Sequence, residues 1–278
     1  MLIDTHAHLN FDAFKDDADE VIRRSLDEDV WMINVGSHYA ASKKAVEIAE
    51  KYKEGTYATV GLHPINLDTG LIRMKIDNTE GSHFEREFDY EKYKELTKSE
   101  KVIAIGEIGL DYYWRPKTTA KKELFKQKQK DLLLKQLELA KELNLPVIFH
   151  CRVAHDDLID FLDKNPKIRP EKAVTHGFVG RLEQLKKYLS FGFYIGFNGI
   201  IFKKIEGIDF EKNIKETPLE KILIETDCPY LSPPSVGGER NEPIHVKYVA
   251  EEIAKIKRLS YKEIISITFK NARELFEI

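Results

Sequence analysis

The sequence predicts an α/β fold, a (β/α)8 barrel of the TIM type, on three observations. Eight short, near-continuously apolar runs punctuate the 278 residues, long amphipathic stretches separate them, and no linker or internal repeat divides the chain. Parallel strands covered on both faces read as unbroken apolar runs, and eight of them alternating with helices favour a closed barrel. An open doubly wound sheet is the rival arrangement. The chain exceeds the usual single-domain length, and this barrel is the main fold that reaches it as one unit, so residues 1–278 are expected to form one barrel domain.

The runs are "LID" at the start, "VWMINVG" (Val30 to Gly36), "GTYATVGLH" (Gly55 to His63) and "KVIAIGE" (Lys101 to Glu107). "LPVIFH" (Leu145 to His150), "KAVTH" (Lys172 to His176), "FYIGF" (Phe193 to Phe197) and "KILIETD" (Lys221 to Asp227) follow. Between them, Asp17 to Leu26 opens with a capping-box-like Asp17…Glu20 and places Val21, Ile22, Ser25 and Leu26 on one side. Ala120 to Leu143 repeats Phe125, Leu132, Leu133, Leu137 and Ala140 at helical spacing. Ser260…Glu263 is a second capping box, ahead of Ile264, Ile267, Thr268 and Leu275. The connection from Asn66 to Lys101 is long, polar and Gly-punctuated, with a helix expected around Tyr90 to Thr97. In a barrel it would lie over the C-terminal face as a partial lid.

With 44 Lys+Arg against 47 Asp+Glu the net charge is close to zero, and no basic tail or polybasic block is evident, so charge gives no support to non-specific nucleic-acid binding. Phosphate substrates stay open, because a bound cation supplies positive charge locally. Cys151 and Cys228 lie far apart without a CxxC pattern, as reduced thiols in a cytosol would. No leader-like segment opens the chain and no apolar run approaches a membrane span. The expectation is a cytoplasmic protein with no membrane contact and no obligate protein partner.

"IDTHAHLNF" (Ile3 to Phe11) sets two histidines one residue apart, just after an aspartate. Along an extended strand Asp4, His6 and His8 face the same way, which suits a metal better than a core. The pattern recurs: His6 and His8 close the first run, Glu107 the fourth, His150 the fifth, His176 the sixth and Asp227 the eighth. In a barrel these ends meet at the catalytic face. Clustered carboxylates repel and buried imidazoles need partners, and a pair of cations resolves both problems.

At these residues the chain resembles the TatD-type metal-dependent hydrolases of the amidohydrolase superfamily. "DTHAHLN", "VGLHP", "AIGEIGLDYY", "VIFHCR", "THGF" and "IETDCPYL…RNEP" follow that family's motif order across essentially the whole sequence. The resemblance implies a barrel with a dinuclear site: His6, His8 and Asp227 on one metal, Glu107 bridging, His150 and His176 on the second. Two departures stand out. Ile65 replaces the family's usual second histidine after "GLHP", and the stretch after Asn66 looks longer than usual.

Two cations sharing a water can activate it and hold the attacking and leaving oxygens. Glu107 offers two oxygens for bridging, and Asp227 can bind metal and take a proton from the water. Imidazole-rich coordination favours Zn, Mn, Fe or Ni, while the resemblance also admits Mg, so the cofactor is expected to be two divalent ions, Zn, Mn or Mg. His63 is read as a substrate or phosphate contact, or else a satisfied histidine beside the ligands. Arg152, two residues past His150, is read as a bidentate phosphate grip or a surface ion pair. Glu225 fills a barrel layer, and Asn241, Glu242 and Pro243 fix the loop after Asp227. Asp111, Tyr112, Tyr113 and Trp114 either stack bases or, the favoured reading, pack a loop. His38 edges the site, while His83, His155 and His245 are expected in solvent.

The function expected is a deoxyribonuclease or exonuclease that hydrolyses phosphodiesters of single-stranded DNA or RNA with a metal-activated water. The alternative runs the same site on the ester of D-aminoacyl-tRNA, and a third reading is a metal-binding protein without turnover.

Overall fold

All eight apolar runs become strands: β1 (Leu2–Ala7), β2 (Val30–Asn34), β3 (Thr56–Val60), β4 (Val102–Asp111), β5 (Val147–Arg152), β6 (Ala173–Thr175), β7 (Tyr194–Phe197) and β8 (Ile222–Ile224). The computed structural model describes residues 1–72, 77–81 and 84–278; His83 lies outside them. Every neighbouring pair from β1 to β8 is parallel, in sequence order. The ring closes just beyond β8. There Asp227 N donates to His6 O (2.8 Å), His8 N donates to Cys228 O (2.9 Å), and Ala7 pairs with Cys228. This nearly closed barrel is the predicted one, and the open sheet is excluded.

Helices cover the outside: α1 (Ala18–Asp27), α2 (Tyr39–Ala49), α3 (Tyr90–Leu96), α4 (Thr119–Leu143), α5 (His155–Lys164), α6 (Leu182–Ser190), α7 (Phe210–Glu216), α8 (Val246–Lys257) and α9 (Tyr261–Phe276). The Ser260–Glu263 capping box forms as expected, with Ser260 Oγ accepting from Glu263 N. The Asp17–Glu20 box does not. Asp17 makes no cap hydrogen bond, because Arg240 takes both of its carboxylate oxygens (3.0 and 2.5 Å). A charge-assisted fork outweighs a single cap bond. No helix among the described residues is long and apolar enough to cross a membrane, and both cysteines are free and buried.

The barrel interior is layered. Ile3, Ile33, Ile103, Ile148, Val174 and Leu223 cluster with Ala272, Leu275 and Phe276 of α9, which plugs the N-terminal mouth. Two residues further along the same faces stand His150 after Ile148 and Glu225 after Leu223, so period-2 alternation stacks polar groups directly above an apolar floor. Burying each large apolar side chain stabilises the floor by roughly 1.5–3 kcal/mol, which offsets the unfavourable desolvation above it.

Several details differ from the sequence reading. β4 does not end at Glu107 but runs to Asp111, with an irregularity between Ile105 and Ile108. Gly109 sits at φ +149° and a Cβ there would fall 1.9 Å from His150 O, so the second glycine of "GEIG" lets β4 lie against β5 just past Glu107. His155 is buried, not solvated; its ring lies 3.1 Å from Tyr188 Oη and 3.0 Å from Val179 O. His245 is half-buried, 3.1 Å from Asn241 Oδ1. The described parts of the long connection are tied down. Asp68 N donates to Glu85 O (2.7 Å), and the Glu85 carboxylate accepts from Tyr39 N (2.6 Å) and Tyr93 Oη (2.9 Å).

Two glutamines seven residues apart on α4, and therefore on one face, act as backbone substitutes for strand ends. Gln129 accepts from Asp111 N (2.9 Å) and donates to Asp111 O (3.0 Å), while Gln136 does the same for Leu62 (2.7 and 3.0 Å). Both are fully buried. Replacing Gln136 with Leu leaves an N–H and a C=O of Leu62 without their partner, at about 1–3 kcal/mol each. Urea unfolding of Gln136→Leu is expected to show a loss of about 2–4 kcal/mol, against a change within about 0.5 kcal/mol for exposed Gln127→Ala. Equal midpoints for the two variants would remove the anchoring role.

Candidate metal centre

The C-terminal mouth gathers all six ligand-type residues around one carboxylate. Glu107 Oε1 lies 2.7 Å from His150 Nδ1, 2.7 Å from His176 Nε2 and 3.4 Å from His63 Nε2. Its other oxygen, Oε2, lies 3.4 Å from His6 Nε2 and 4.0 Å from His8 Nε2. Asp227 Oδ1 completes that second group, 3.3 Å from His8 Nε2 and 3.9 Å from His6 Nε2. The carboxylate of Glu107 thus straddles two nests of imidazole nitrogen.

Neighbouring elements orient the rings. His8 Nδ1 donates to Val35 O (3.0 Å), which turns the Nε2 lone pair into the site. His150 Nε2 lies 3.1 Å from Asp111 Oδ2, and His176 Nδ1 3.3 Å from Glu225 Oε1. Glu225 is itself held by Gly177 N (2.5 Å) and Asn198 Nδ2 (3.3 Å). His63 differs: its Nδ1 accepts from Ile65 N (3.0 Å), so Nε2 carries the proton and the ring faces the cluster as a donor. Asp227 adopts φ +57°, a left-handed conformation that aspartate tolerates better than most residues. Asn241 Nδ2 fixes the loop beyond it through Thr226 O (3.0 Å) and Tyr230 O (2.7 Å), the role expected of "NEP".

Burial alone would raise the Glu107 carboxyl, but the electrostatic pull of the His176, His63 and His6 rings and the His150 hydrogen bond hold it well below the usual range. Burial likewise opposes Asp227, and the His8 hydrogen bond overrides it downward. Burial depresses His6. At His150 burial pulls down while Asp111 and Glu107 lift the ring to about 9. Both carboxylates are therefore anionic at neutral pH.

The donor set fits divalent cations. The Nε2 atoms of His6 and His8 face each other at 3.2 Å, although at most one can donate to the other, and a carboxylate oxygen closes the same nest. His150 Nδ1 and His176 Nε2 converge in the same way, 3.3 Å apart. Nitrogen and oxygen donors buried in such number, with Val35 O hydrogen-bonded behind His8 and Asp111 behind His150, match the chemistry of a first-row metal site.

Sequence reasoning missed three participants. Asp111 was grouped with the loop aromatics but props His150, and only its place four residues past Glu107 on the same strand could have signalled that. Asp4 does not join the cluster: Thr226 N (2.8 Å) and Oγ1 (2.5 Å) donate to it, so it pins the segment carrying Asp227, and burial lifts its pKa to about 8. Gln129 holds Asp111 from α4. The aromatic stretch divides: Tyr112 packs inside, whereas Tyr113 and Trp114 are 50% and 41% exposed. Arg152 is exposed with its guanidinium 3.7 Å above the Tyr113 ring. His38 is buried and caps α2 by accepting from Ala41 N (3.3 Å).

Known proteins resemble the chain over its full length. The family profile described as TatD related DNase matches residues 3–277. The uncharacterized metal-dependent hydrolase YabD of Bacillus subtilis is 40% identical, covering 100% of both chains. A 3'-5' ssDNA/RNA exonuclease, TatD of Shigella flexneri, is 30% identical over 100% of this chain and 99% of its own. Among solved structures, YjjV, a TatD homologue of Escherichia coli, superposes with a TM-score of 0.81 at 29% identity, covering 100% of this chain and 98% of that one. The chain belongs to the TatD-related DNase family of metal-dependent hydrolases.

Proposed function

We propose that the protein is a 3'-5' exonuclease that hydrolyses phosphodiester bonds of single-stranded DNA or RNA. The observation that carries this reading is Glu107, one buried carboxylate whose two oxygens face separate imidazole nests. His6, His8 and Asp227 would hold one ion, His150 and His176 the other, with Glu107 between them. Bound there, a pair of divalent ions supplies an acidified water and neutralises charge on the phosphoryl oxygens. The name of the Shigella relative supports the substrate class and polarity.

The chain's own groups divide the remaining work. Glu107 is 6% exposed at its side chain and Asp227 is 18% exposed, so Asp227 is the carboxylate open to water and the one placed to take a proton. His63 offers its Nε2 proton to an anionic oxygen beside Glu107. Arg152, at the end of β5 with its guanidinium braced on the Tyr113 ring, would meet the phosphate of the bound strand.

Three outcomes test the reading. Incubated with 3'-labelled oligonucleotide and with D-aminoacyl-tRNA, the metal-loaded protein is expected to shorten the oligonucleotide from its 3' end. Glu107→Gln and Asp227→Asn should each fall below about a hundredth of wild type, beyond what loss of an outer contact costs. Faster turnover of the aminoacyl ester with intact oligonucleotide would instead assign the site to ester hydrolysis.

Asp111→Ala releases His150 without removing a ligand. Metal affinity by competition with a chelating dye is expected to drop by about 10–100-fold, with most activity returning at saturating metal. An unchanged affinity would take Asp111 out of the orienting set.

Because His150 holds its proton up to about 9 in the ion-free protein, cation binding at neutral pH must release protons. The sign is fixed: apparent metal affinity weakens as pH falls from 9 toward 6. Calorimetric titrations in buffers of differing ionisation heat should report that release, and buffer-independent heats would contradict it.

A further inference from the structure

Both departures from the family pattern meet in one place. Ile65 and the described residues Leu71, Ile72, Asp77, Glu80 and Phe84 of the connection after Asn66 line a cleft of about 340 Å3, a size at the lower end for small-molecule sites. Leu71, Ile72 and Phe84 make part of that lining apolar, and Trp114, Arg115 and Lys117, from the segment after β4, line it as well. Ile65 is two residues past His63 and Trp114 three past Asp111. At most about 3.5 Å per residue, the backbones of Ile65 and Trp114 lie within about 7–11 Å of those of His63 and Asp111, which stand beside the metal cluster.

Its charges differ in how they are engaged. Arg115 and Lys117 are exposed, and among the described residues neither has an acidic partner. They open a run to Lys130 holding seven Lys/Arg against one acid, Glu123, a local excess concealed by the net charge of −3. The near-neutral total was therefore a poor guide to this surface. The acids of the cleft are engaged. Tyr230 Oη donates to Asp77 (2.7 Å), and Ser37 Oγ and Asn66 Nδ2 donate to Glu80 (2.5 and 2.6 Å). A phosphate is attracted to Arg115 and Lys117 and repelled from Asp77 and Glu80, while a flat apolar ring suits Leu71, Ile72, Phe84 and Trp114.

We propose that this cleft holds an unpaired nucleobase of the single strand being cut, one or two nucleotides from the scissile bond, with the adjoining phosphate on Arg115 and Lys117. The inference rests on the phosphodiesterase reading above. It gives the longer connection a purpose: selecting strands with exposed bases over paired ones, whose bases are stacked and unavailable.

The test uses the full-length metal-loaded enzyme, a set of oligonucleotides each lacking one base at a successive position, and bis(p-nitrophenyl) phosphate, a small diester that does not reach the cleft. Wild type is expected to show a rise in KM of about 5- to 100-fold when the base at one position is missing, the effect of losing one stacked base. Trp114→Ala should carry that rise on the intact strand and lose its sensitivity to the missing base, with turnover of the small diester unchanged. Arg115→Ser/Lys117→Ser, at two exposed positions, should flatten the dependence of log KM on log salt by about 0.7 for each phosphate no longer neutralised. A flat base-removal profile in wild type, or one that Trp114→Ala leaves as it was, overturns the cleft's role while the nuclease reading stands. No cleavage of any oligonucleotide removes both.

Discussion

An ionised carboxylate at the centre of a barrel is stable only if cationic or metal-ready groups surround it, and Glu107 imposes that condition on the whole molecule. Water cannot solvate it, so the imidazoles of His6, His63, His150 and His176 must do so. These side chains come from β1, the segment after β3, β5 and the end of β6, and no local stretch of chain could bring them together. Only a closed parallel ring, with all strand ends at one mouth, satisfies the carboxylate from every side. The apolar floor of Ile3, Ile33, Ile148 and Leu223 then has a second task, since it excludes water from below and strengthens each of those interactions.

A ring that can rotate is a poor ligand, so the next constraint is orientation. Val35 O, Asp111 and Glu225 each occupy the far nitrogen of a histidine, and each comes from a different part of the ring of strands. They are themselves held: Asp111 by Gln129, and Glu225 by Gly177 and Asn198. Precision at the mouth is inherited from buried hydrogen bonds one and two steps outward, where an unpaired group costs most. α4 is central to this, because its two buried glutamines fasten the ends of β3 and β4 that present His63 and Asp111.

The strands were legible because burial on both faces leaves an unbroken apolar run, and the cluster was legible because ligand-type residues recur at the ends of those runs. What escaped was whatever depends on a partner distant in sequence. Asp17 looks like a helix cap until Arg240 is beside it, and His155 looks like a surface histidine until Tyr188 covers it. Asp111 follows a glycine-rich strand and precedes three aromatics, so its own neighbours suggested a loop, whereas the irregular β4 continues through it toward His150. Asp4 shares a pattern with His6 and His8, yet the register shift in β1 and the hydroxyl of Thr226 give it a different task. Gln129 and Gln136 carry no signal in the sequence, because an amide on an amphipathic helix is normally solvated.

Chemistry and selection then occupy different parts of the chain. The ligand cluster sits on strand ends, where the barrel fixes position to within the tolerance that coordination demands, and substitutions there are constrained by every neighbouring ring. The cleft sits on connecting segments, which accept insertion and changes of composition without disturbing the strands. Ile65 shows how close the two regimes come. Its backbone N–H sets the tautomer of His63 and so belongs to the chemistry, while its side chain lines the cleft. A histidine at that position would keep the backbone bond and alter only the lining. The lining at that position can therefore vary without changing how His63 faces Glu107, which is the separation a hydrolase needs in order to change substrates on an unaltered barrel.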